Sequence, residues 1–97
     1  MNRVIWSPQA LRDLESIRDF IAQDSPLYAG LVVQRLVASV ERLGAFPESG
    51  RVVPELQRTD VREVIRPPFR IVYRLRGDVV EIATVFRSSR LFHGQPE

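Results

Sequence analysis

A chain of 97 residues, 44% of them hydrophobic, is long enough for one domain with a small core, so we expect a single domain over residues 1–97. It has no apolar run of roughly 18 residues and no apolar leader after Met1, which predicts a cytoplasmic protein without a membrane span. The absence of cysteine excludes disulfides and thiol catalysis, and the lack of paired histidines leaves no metal or cofactor to be expected.

The net charge of +2 is unevenly distributed. Residues 1–60 carry seven arginines and eight acidic residues, whereas residues 61–97 carry seven arginines and four acidic residues. All fourteen basic residues are arginine, whose planar fork binds carboxylates and phosphates through two parallel hydrogen bonds. The basic C-terminal part predicts an acidic partner, either nucleic acid or an acidic protein.

The first elements in chain order are a strand and two helices. Arg3–Trp6 is predicted as a short strand, and Ser7-Pro8 as the N-cap and first position of a helix. Ser25-Pro26 repeats this signal for a second helix, which Gly44 is expected to end in the left-handed conformation. The stripes predicted to face the core are Leu11, Leu14, Ile17 and Ile21 in the first helix and Val33, Leu36, Val37, Val40 and Leu43 in the second.

A long connection and three strands follow. Residues 45–60 form the connection, and its apolar residues Val52, Val53 and Leu56 suggest that it is partly pinned to the core. The strands are predicted at Val61–Ile65, which ends at Pro67-Pro68, at Phe69–Arg76 and, after a two-residue turn at Gly77-Asp78, at Val79–Phe86.

The two-residue turn predicts the register of the last hairpin. Arg74 then faces Glu81 and Arg70 faces Val85 on the outward side, while Tyr73 faces Ile82 and Phe69 faces Phe86 on the core side. Tyr73 and Trp6 are interpreted as core residues.

Arginines of the outward face are candidates for binding an anion. Arg87 is predicted diagonal to Arg70 on one face, with no acid opposite either of them. An odd-length loop at the two prolines adds Arg62 and Arg66 to this face, whereas an even-length loop places Glu63 there as a partner for Arg70. The predicted target- or anion-binding set is Arg62, Arg66, Arg70, Arg87 and Arg90; the alternative is a solvated charged face.

The ordered strings VIWSPQALRDLESIRDFIA, LVASVERLGAFPESGRVVPEL, VREV and FRIVYRLRGDVVEIATVF resemble the ParE/RelE family of toxins from bacterial toxin–antitoxin pairs, over about residues 3–91. The resemblance implies an α+β fold of order β-α-α-β-β-β, with a helical hairpin packed on a small antiparallel sheet. It also implies a cognate, acidic antitoxin that folds onto the toxin and silences it.

The family has two branches. RelE-like members cleave mRNA in the ribosomal A site, which requires an activated 2′-hydroxyl and charge stabilisation at the phosphate. By resemblance, Arg70 and Arg87 would stabilise that charge, and His93 would act as acid or base. Phe92 stands where a catalytic tyrosine is frequent and has no hydroxyl. Glu55 and Glu63 are weaker candidates for a base, since each has an ordinary role as a surface charge.

ParE-like members act on DNA gyrase and need no such set. The strings SPQALRDLESIRDFIA and FPESGRVVPEL are closer to this branch, and Arg90 matches its C-terminal arginine. We therefore expect a gyrase-inhibiting toxin that is not an enzyme. The alternatives are a ribosome-dependent RNase and an inactive member that only binds its antitoxin.

Overall fold

The computed structural model describes residues 2–88. The elements follow the predicted order, with one additional short strand: β1 (Arg3–Trp6), α1 (Pro8–Ala22), α2 (Pro26–Arg42), β2 (Arg51–Val52), β3 (Val61–Arg66), β4 (Phe69–Arg76) and β5 (Val79–Arg87). The two helices pack on one face of a five-stranded sheet. The predicted α+β class, with a helical hairpin on a sheet, is confirmed.

Both helices begin at a serine–proline pair, as predicted. The Ser7 hydroxyl accepts a hydrogen bond from the Ala10 N–H at 3.0 Å, and the Ser25 hydroxyl accepts one from the Tyr28 N–H at 3.1 Å. Each serine thus satisfies an N–H that the helix itself leaves without a partner.

The strand order is β1-β5-β4-β3-β2. The β3–β4 and β4–β5 pairs are antiparallel as predicted, and β2 also pairs antiparallel with β3. Strand β1 runs parallel to β5, so the sheet is mixed and the prediction of an antiparallel sheet is wrong for this pair. A parallel pair requires a long crossover connection. Residues 7–78, which include both helices and β2 to β4, form that connection here. Strand β2 was not predicted, because two residues are too few to show a period of two.

The register of the last hairpin matches the prediction only next to the turn. Arg74 pairs with Glu81 and Tyr73 with Ile82, but a bulge at Ala83 then shifts the ladder, so Arg70 pairs with Phe86 instead of Val85. Phe69 correspondingly pairs with Arg87. A bulge inserts one extra residue into one strand, so the side chains beyond it change face relative to the partner.

The bulge is held in place by α1. The Ser7 hydroxyl donates to the carbonyl of Ala83 at 2.9 Å. The Asp13 carboxylate accepts hydrogen bonds from the Thr84 hydroxyl at 2.5 Å and from the Val85 N–H at 3.0 Å. Backbone groups that the irregular ladder leaves open are therefore satisfied by the helix.

The helices bury nearly the predicted stripes, rotated towards small residues. In α1 the buried residue is Ala10, while Leu11 is 50% exposed. In α2 Ala29 and Ser39 are buried, while Val33 and Val37 are only half-buried. A small side chain at the contact lets a helix approach the sheet closely, which the apolar pattern alone does not reveal. Leu14, Ile17, Ile21, Leu36, Val40 and Leu43 pack in the core as predicted.

The glycines at the two turns behave differently. Gly77 has a φ of +56°, as the predicted tight turn requires. Gly44 does not have a positive φ, so its predicted left-handed cap is wrong. A Cβ there would lie 3.1 Å from the carbonyl oxygen of Asn2, whose N–H donates to the Gly44 carbonyl at 2.9 Å. Gly44 thus allows the chain before β1 to approach the end of α2.

Candidate functional site: a buried arginine–glutamate cluster

The loop between β3 and β4 decides which side chain accompanies Arg70. It contains only Pro67 and Pro68, and Glu63 pairs with Val72 while Ile65 pairs with Arg70. An even-length loop therefore places Glu63 on the face of Arg70, and the alternative in which Glu63 is its partner is confirmed. This face is the outer one, opposite the helices.

Arg70 is buried and uses its guanidinium inside the protein. Its side chain is 9% exposed. Its Nε donates to Oε1 of Glu63 at 2.9 Å, and its Nη2 donates to the same oxygen. Nη2 also lies 3.4 Å from a carboxylate oxygen of Glu55, and the guanidinium carbon lies 5.3 Å from the centre of the Phe86 ring.

Glu63 is the centre of the cluster, and the prediction of a surface charge is wrong for it. Its side chain is fully buried, and its second oxygen accepts a hydrogen bond from Nε of Arg51 at 2.5 Å. Arg51 comes from β2, which pairs with Glu63 along the ladder. Glu63 therefore joins β2, β3 and β4 on one face of the sheet.

The charges of the cluster balance. Arg51 and Arg70 face Glu55 and Glu63, two cations against two anions. Burial opposes the charged form of Arg70, but the hydrogen bonds and charges of Glu63 and Glu55 outweigh it and raise the pKa of Arg70. The hydrogen bond from its own backbone, with further contributions from Arg70 and Arg51, lowers the pKa of Glu55. Both groups are therefore charged at neutral pH.

A small apolar layer covers this face of the sheet. Val53, Val61 and Val72 are buried together, and Leu56 and Phe86 pack against them. The predicted pinning of the 45–60 connection is thereby confirmed.

Arg87 does not share a face with Arg70, so that prediction is wrong. The bulge turns Arg87 to the helix side, where its guanidinium carbon lies 5.6 Å from the centre of the Phe69 ring and 5.8 Å from that of Phe20 in α1. These distances are typical of cation–π contacts. Within residues 2–88, Arg87 has no carboxylate partner.

Arg62 and Arg66 also point away from Arg70, because their ladder partners are Tyr73 and Phe69 on the helix side. Arg62 donates to the carbonyls of Gly50, Thr59 and Glu48 at 3.0, 3.2 and 3.3 Å, and so braces the long connection.

Arg74 lies 3.9 Å from Glu81, as the predicted cross-strand pair requires. Arg90 and His93 lie outside the described residues, as does Phe92. The predicted cluster of five arginines is therefore not assembled among the residues that the structure describes: Arg62, Arg66 and Arg87 lie on the helix side and Arg70 on the outer side.

This geometry limits the chemistry available at Arg70. The N–H groups that would bind a phosphate are directed at Glu63 and Glu55. Glu63 is a poor general base because it is buried and bound by two arginines, and the lowered pKa of Glu55 makes it a weak proton acceptor. Among residues 2–88, no group of three His, Asp or Glu side chains is arranged to hold a metal ion.

Arg51 is the member of the site that the sequence did not predict. It belongs to the string SGRVVPEL and lies in a strand too short for a periodic signal. The signal in the sequence that could have indicated this position is the glycine before it, Gly50. A Cβ on Gly50 would lie 2.6 Å from the Glu63 carbonyl oxygen and 2.6 Å from the Tyr73 hydroxyl, so β2 approaches β3 and β4 here more closely than a side chain would permit.

Known proteins resemble this chain over nearly its whole length. It is 38% identical over 92 residues to Toxin RelE2 of Caulobacter vibrioides, which covers 94% of this chain and 100% of that protein. It is 36% identical over 86 residues to Putative toxin Y4kP of Sinorhizobium fredii, covering 89% of this chain and 88% of the relative.

Two solved structures share the fold. A chain of the chromosomal ParDE toxin–antitoxin system of Pseudomonas aeruginosa aligns with a TM-score of 0.73 and 28% identity, over 90% of this chain and 96% of that one. The toxin–antitoxin complex RelBE2 of Mycobacterium tuberculosis aligns with a TM-score of 0.57 and 19% identity, over 89% and 96%. The second similarity concerns the fold alone.

The family profile that matches residues 4–92 is described as the ParE toxin of the type II toxin–antitoxin system parDE. The match begins within β1 and spans both helices and β2 to β5, including the residues of the arginine–glutamate cluster. This chain therefore belongs to the ParE toxin family, and it is the toxin of a type II toxin–antitoxin module with a cognate antitoxin as its partner.

Proposed function

We propose that this toxin inhibits DNA gyrase and does not cleave RNA. The observation that carries the proposal is the state of Arg70. An RNase of this fold would need that arginine to face the scissile phosphate, whereas here its charge is balanced by Glu63 and Glu55 inside the sheet face. The match to the ParE profile points in the same direction.

The rest of the outer face supports the same conclusion. Val53, Val61 and Val72 form an apolar layer beside the cluster, and Leu56 closes it from the long connection. Because these valines are buried, this part of the outer face is closed to a polyanion, whose affinity comes largely from cations placed against its phosphates. The proposal includes a cytoplasmic location, because gyrase acts there. No helix within residues 2–88 has the length and apolarity to cross a membrane.

The cognate antitoxin needs a surface of its own, and the helical hairpin offers apolar side chains. Leu27 is 79% and Leu31 43% exposed on successive turns of α2, and Phe20 of α1 is 59% exposed. Large apolar side chains left exposed in this way are typical of protein interaction sites. We propose that an amphipathic segment of the antitoxin covers them.

The direct test is DNA supercoiling by purified gyrase in the presence of the purified toxin. We expect supercoiling to fall as toxin is added, and to recover when the antitoxin is added in equal amount. An unchanged rate at every ratio of toxin to gyrase, from a preparation that stops growth when expressed, would refute the proposal.

A matched pair of variants separates a structural Arg70 from a catalytic one. Arg70→Ala alone removes one of the two arginines that hold the buried Glu63 and leaves it only with the exposed Arg51, so loss of toxicity from this variant is ambiguous. The double variant Glu63→Leu, Arg70→Met replaces the pair by apolar side chains of similar volume, which is often neutral for stability. We expect the double variant to fold and to remain toxic. A folded but harmless double variant would indicate that Arg70 acts on a substrate.

A further inference from the structure

A pocket lies where the start of α1 meets the hairpin of β4 and β5, near the Gly77-Asp78 turn and away from the arginine–glutamate cluster. Its volume is about 430 Å³, and it is bounded by the first turns of α1, the end of β4 and the part of β5 up to the bulge. Sites that hold small ligands have volumes in this range.

The lining of this pocket has an excess of two positive charges. Its charged residues are Arg12, Arg74, Arg76 and Glu81. Beside the pocket, the Arg3 N–H donates to the Asp78 carbonyl at 2.8 Å, so one residue of each sign stands at its margin. Asp60, which also lies within reach of the charge of Arg74, is already bound by Arg58 through hydrogen bonds of 2.7 and 3.1 Å. A concave surface with one dominant sign of charge attracts ligands of the opposite sign.

Arg74 has donors that the protein does not use. Its Nη1 lies 3.9 Å from Oε1 of Glu81, which is longer than a hydrogen bond. Its Nε is buried and has no acceptor among the described residues. Buried polar groups in folded proteins nearly always have a partner. An anion beside this guanidinium would therefore supply an acceptor that the fold itself does not provide.

Arg12 and Arg76 are exposed, and neither side chain has a carboxylate partner among residues 2–88. The Arg12 side chain donates through Nη2 to the amide oxygen of Gln9 at 3.1 Å, within the same helix. Arg76 stands two residues beyond Arg74 on one face of β4, so the Cα atoms of the two are roughly 7 Å apart. The three guanidinium groups thus come to the pocket from a helix and a strand that are distant in the chain.

The pocket offers cations but no large apolar side chain. Its apolar lining residues are Pro8 and Ala83, both small. Protein partners usually bind through large apolar or aromatic anchors, whereas a nucleic acid is held mainly by cations placed against its phosphates. The phosphates of one DNA strand follow one another at about 3.4 Å along the helix axis, so a single strand can present a phosphate to both Arg74 and Arg76. The lining therefore favours a phosphate backbone over a protein segment.

We propose that this pocket binds the phosphate backbone of duplex DNA through Arg12, Arg74 and Arg76, so that the toxin contacts DNA as well as gyrase. The inference rests on the proposed function in one respect, because it takes the nucleic acid to be the duplex on which gyrase acts. Arg70 remains bound within its own cluster at the other end of β4, so the DNA is held and not cleaved. Backbone contacts of this kind carry no sequence information, and we expect binding to duplexes of any sequence.

Fluorescence anisotropy of a short labelled DNA duplex, titrated with the purified toxin at several salt concentrations, tests the inference. Each neutralised phosphate adds about 0.9 to the steepness with which log K falls against log salt. The double variant Arg12→Gln, Arg76→Gln should therefore reduce that steepness by about 1.8 and weaken binding by more than about tenfold at low salt. Neither arginine has an ion pair among the described residues, so this variant should fold normally. The matched control is Arg35→Gln, Arg42→Gln, which removes the same charge from exposed positions on α2 and should leave the steepness unchanged.

No binding of the duplex, or equal losses in the pocket and control variants, would overturn the inference. So would a single-stranded RNA or a glutamate-rich peptide that binds more tightly than the duplex and depends on Arg12 and Arg76. Gyrase supercoiling measured with the same preparations reports on the proposed function independently, since the anisotropy experiment contains no gyrase. Inhibition of supercoiling without binding to DNA would refute the pocket alone, and binding to DNA without inhibition would refute the proposed function alone.

Discussion

Gly50 immediately precedes β2, where the connection after α2 reaches the edge of the sheet. Its N–H donates to the Tyr73 hydroxyl at 2.9 Å, and that hydroxyl donates to the Pro47 carbonyl at 2.8 Å. Tyr73 is fully buried, as predicted for a core residue, and burial raises the pKa of its hydroxyl. Its polar end therefore anchors the connection to the sheet through groups that would otherwise be buried without partners.

We predict that Gly50→Ala destabilises the protein by about 1–3 kcal/mol, the usual cost of overpacking. The added Cβ would lie 2.6 Å from both the Glu63 carbonyl oxygen and the Tyr73 hydroxyl. Urea denaturation measures the change. Gly30→Ala is the matched control: nothing lies within 4 Å of a Cβ there, so this helix substitution should stabilise by about 0.5–1 kcal/mol. Equal effects of the two substitutions would contradict the packing at Gly50.

Glu63 has the largest predicted effect of any single side chain in the cluster. Glu63→Ala leaves Arg70 charged and buried, so we expect a loss of about 3–5 kcal/mol of the free energy of unfolding. Denaturation curves at neutral pH provide the measurement. The exposed pair of Arg58 and Asp60 serves as a comparison, because Asp60→Ala removes an ion pair that stays in water and should change stability far less. Glu63→Ala as mild as Asp60→Ala would show that the cluster is not tightly buried.

At the scale of elements, α1 and β5 are coupled through the bulge. The Asp13 carboxylate lies on the helix and accepts two hydrogen bonds from β5, while Ser7 joins the helix start to Ala83. The bulge is what separates Arg87 from Arg70. The position of Arg87 beside Phe20 and Phe69 therefore depends on a contact between two elements that are distant in the chain.

We predict that Asp13→Ala destabilises the protein by about 1–3 kcal/mol, because it leaves the Val85 N–H and the Thr84 hydroxyl without their acceptor. Amide hydrogen exchange should accelerate at Val85 more than at Val80, which lies in the regular part of the same strand. Asp19→Ala is the control on the same helix, since Asp19 is exposed and pairs only with Arg18 among the described residues. Unchanged exchange at Val85 would argue against the coupling.

At the scale of the whole molecule, the connection from residue 53 to residue 60 lies on the outer face and contains two acids that pair with arginines, Glu55 with Arg70 of β4 and Asp60 with Arg58 of the connection itself. Glu55 approaches Arg70, and the pKa of Asp60 is lowered by its hydrogen bond to Arg58. For both acids the folded state favours the charged form. Their contribution to stability is therefore complete above the pKa of the unfolded chain and is lost as the pH falls through the folded pKa.

We predict that stability decreases as the pH falls from about 5 to 3, across the ordinary pKa of 4.5 for Glu55 and 3.8 for Asp60. The midpoint of urea denaturation, measured across this range, should shift to lower urea concentration. In the double variant Glu55→Gln, Asp60→Asn this dependence should be shallower. A midpoint that stays constant or rises on acidification would refute the prediction.

The sequence by itself determined the elements whose signals are local. Ser7-Pro8 and Ser25-Pro26 specify helix starts because the cap and the first turn lie within four residues of each other. Gly77-Asp78 likewise specifies the turn and the pairs next to it. The toxin family follows from ordered strings along the chain, which require no knowledge of how the strands are arranged.

Only the tertiary structure decided which arginines act together. The sequence left open whether Glu63 or Arg62 accompanies Arg70, because one residue of loop length reverses the faces of a strand. The bulge that moves Arg87 to the helix side is stabilised by Ser7 and Asp13, about 70 residues earlier in the chain. Ion pairs and register in this sheet depend on such long-range contacts, and a local pattern carries no information about them.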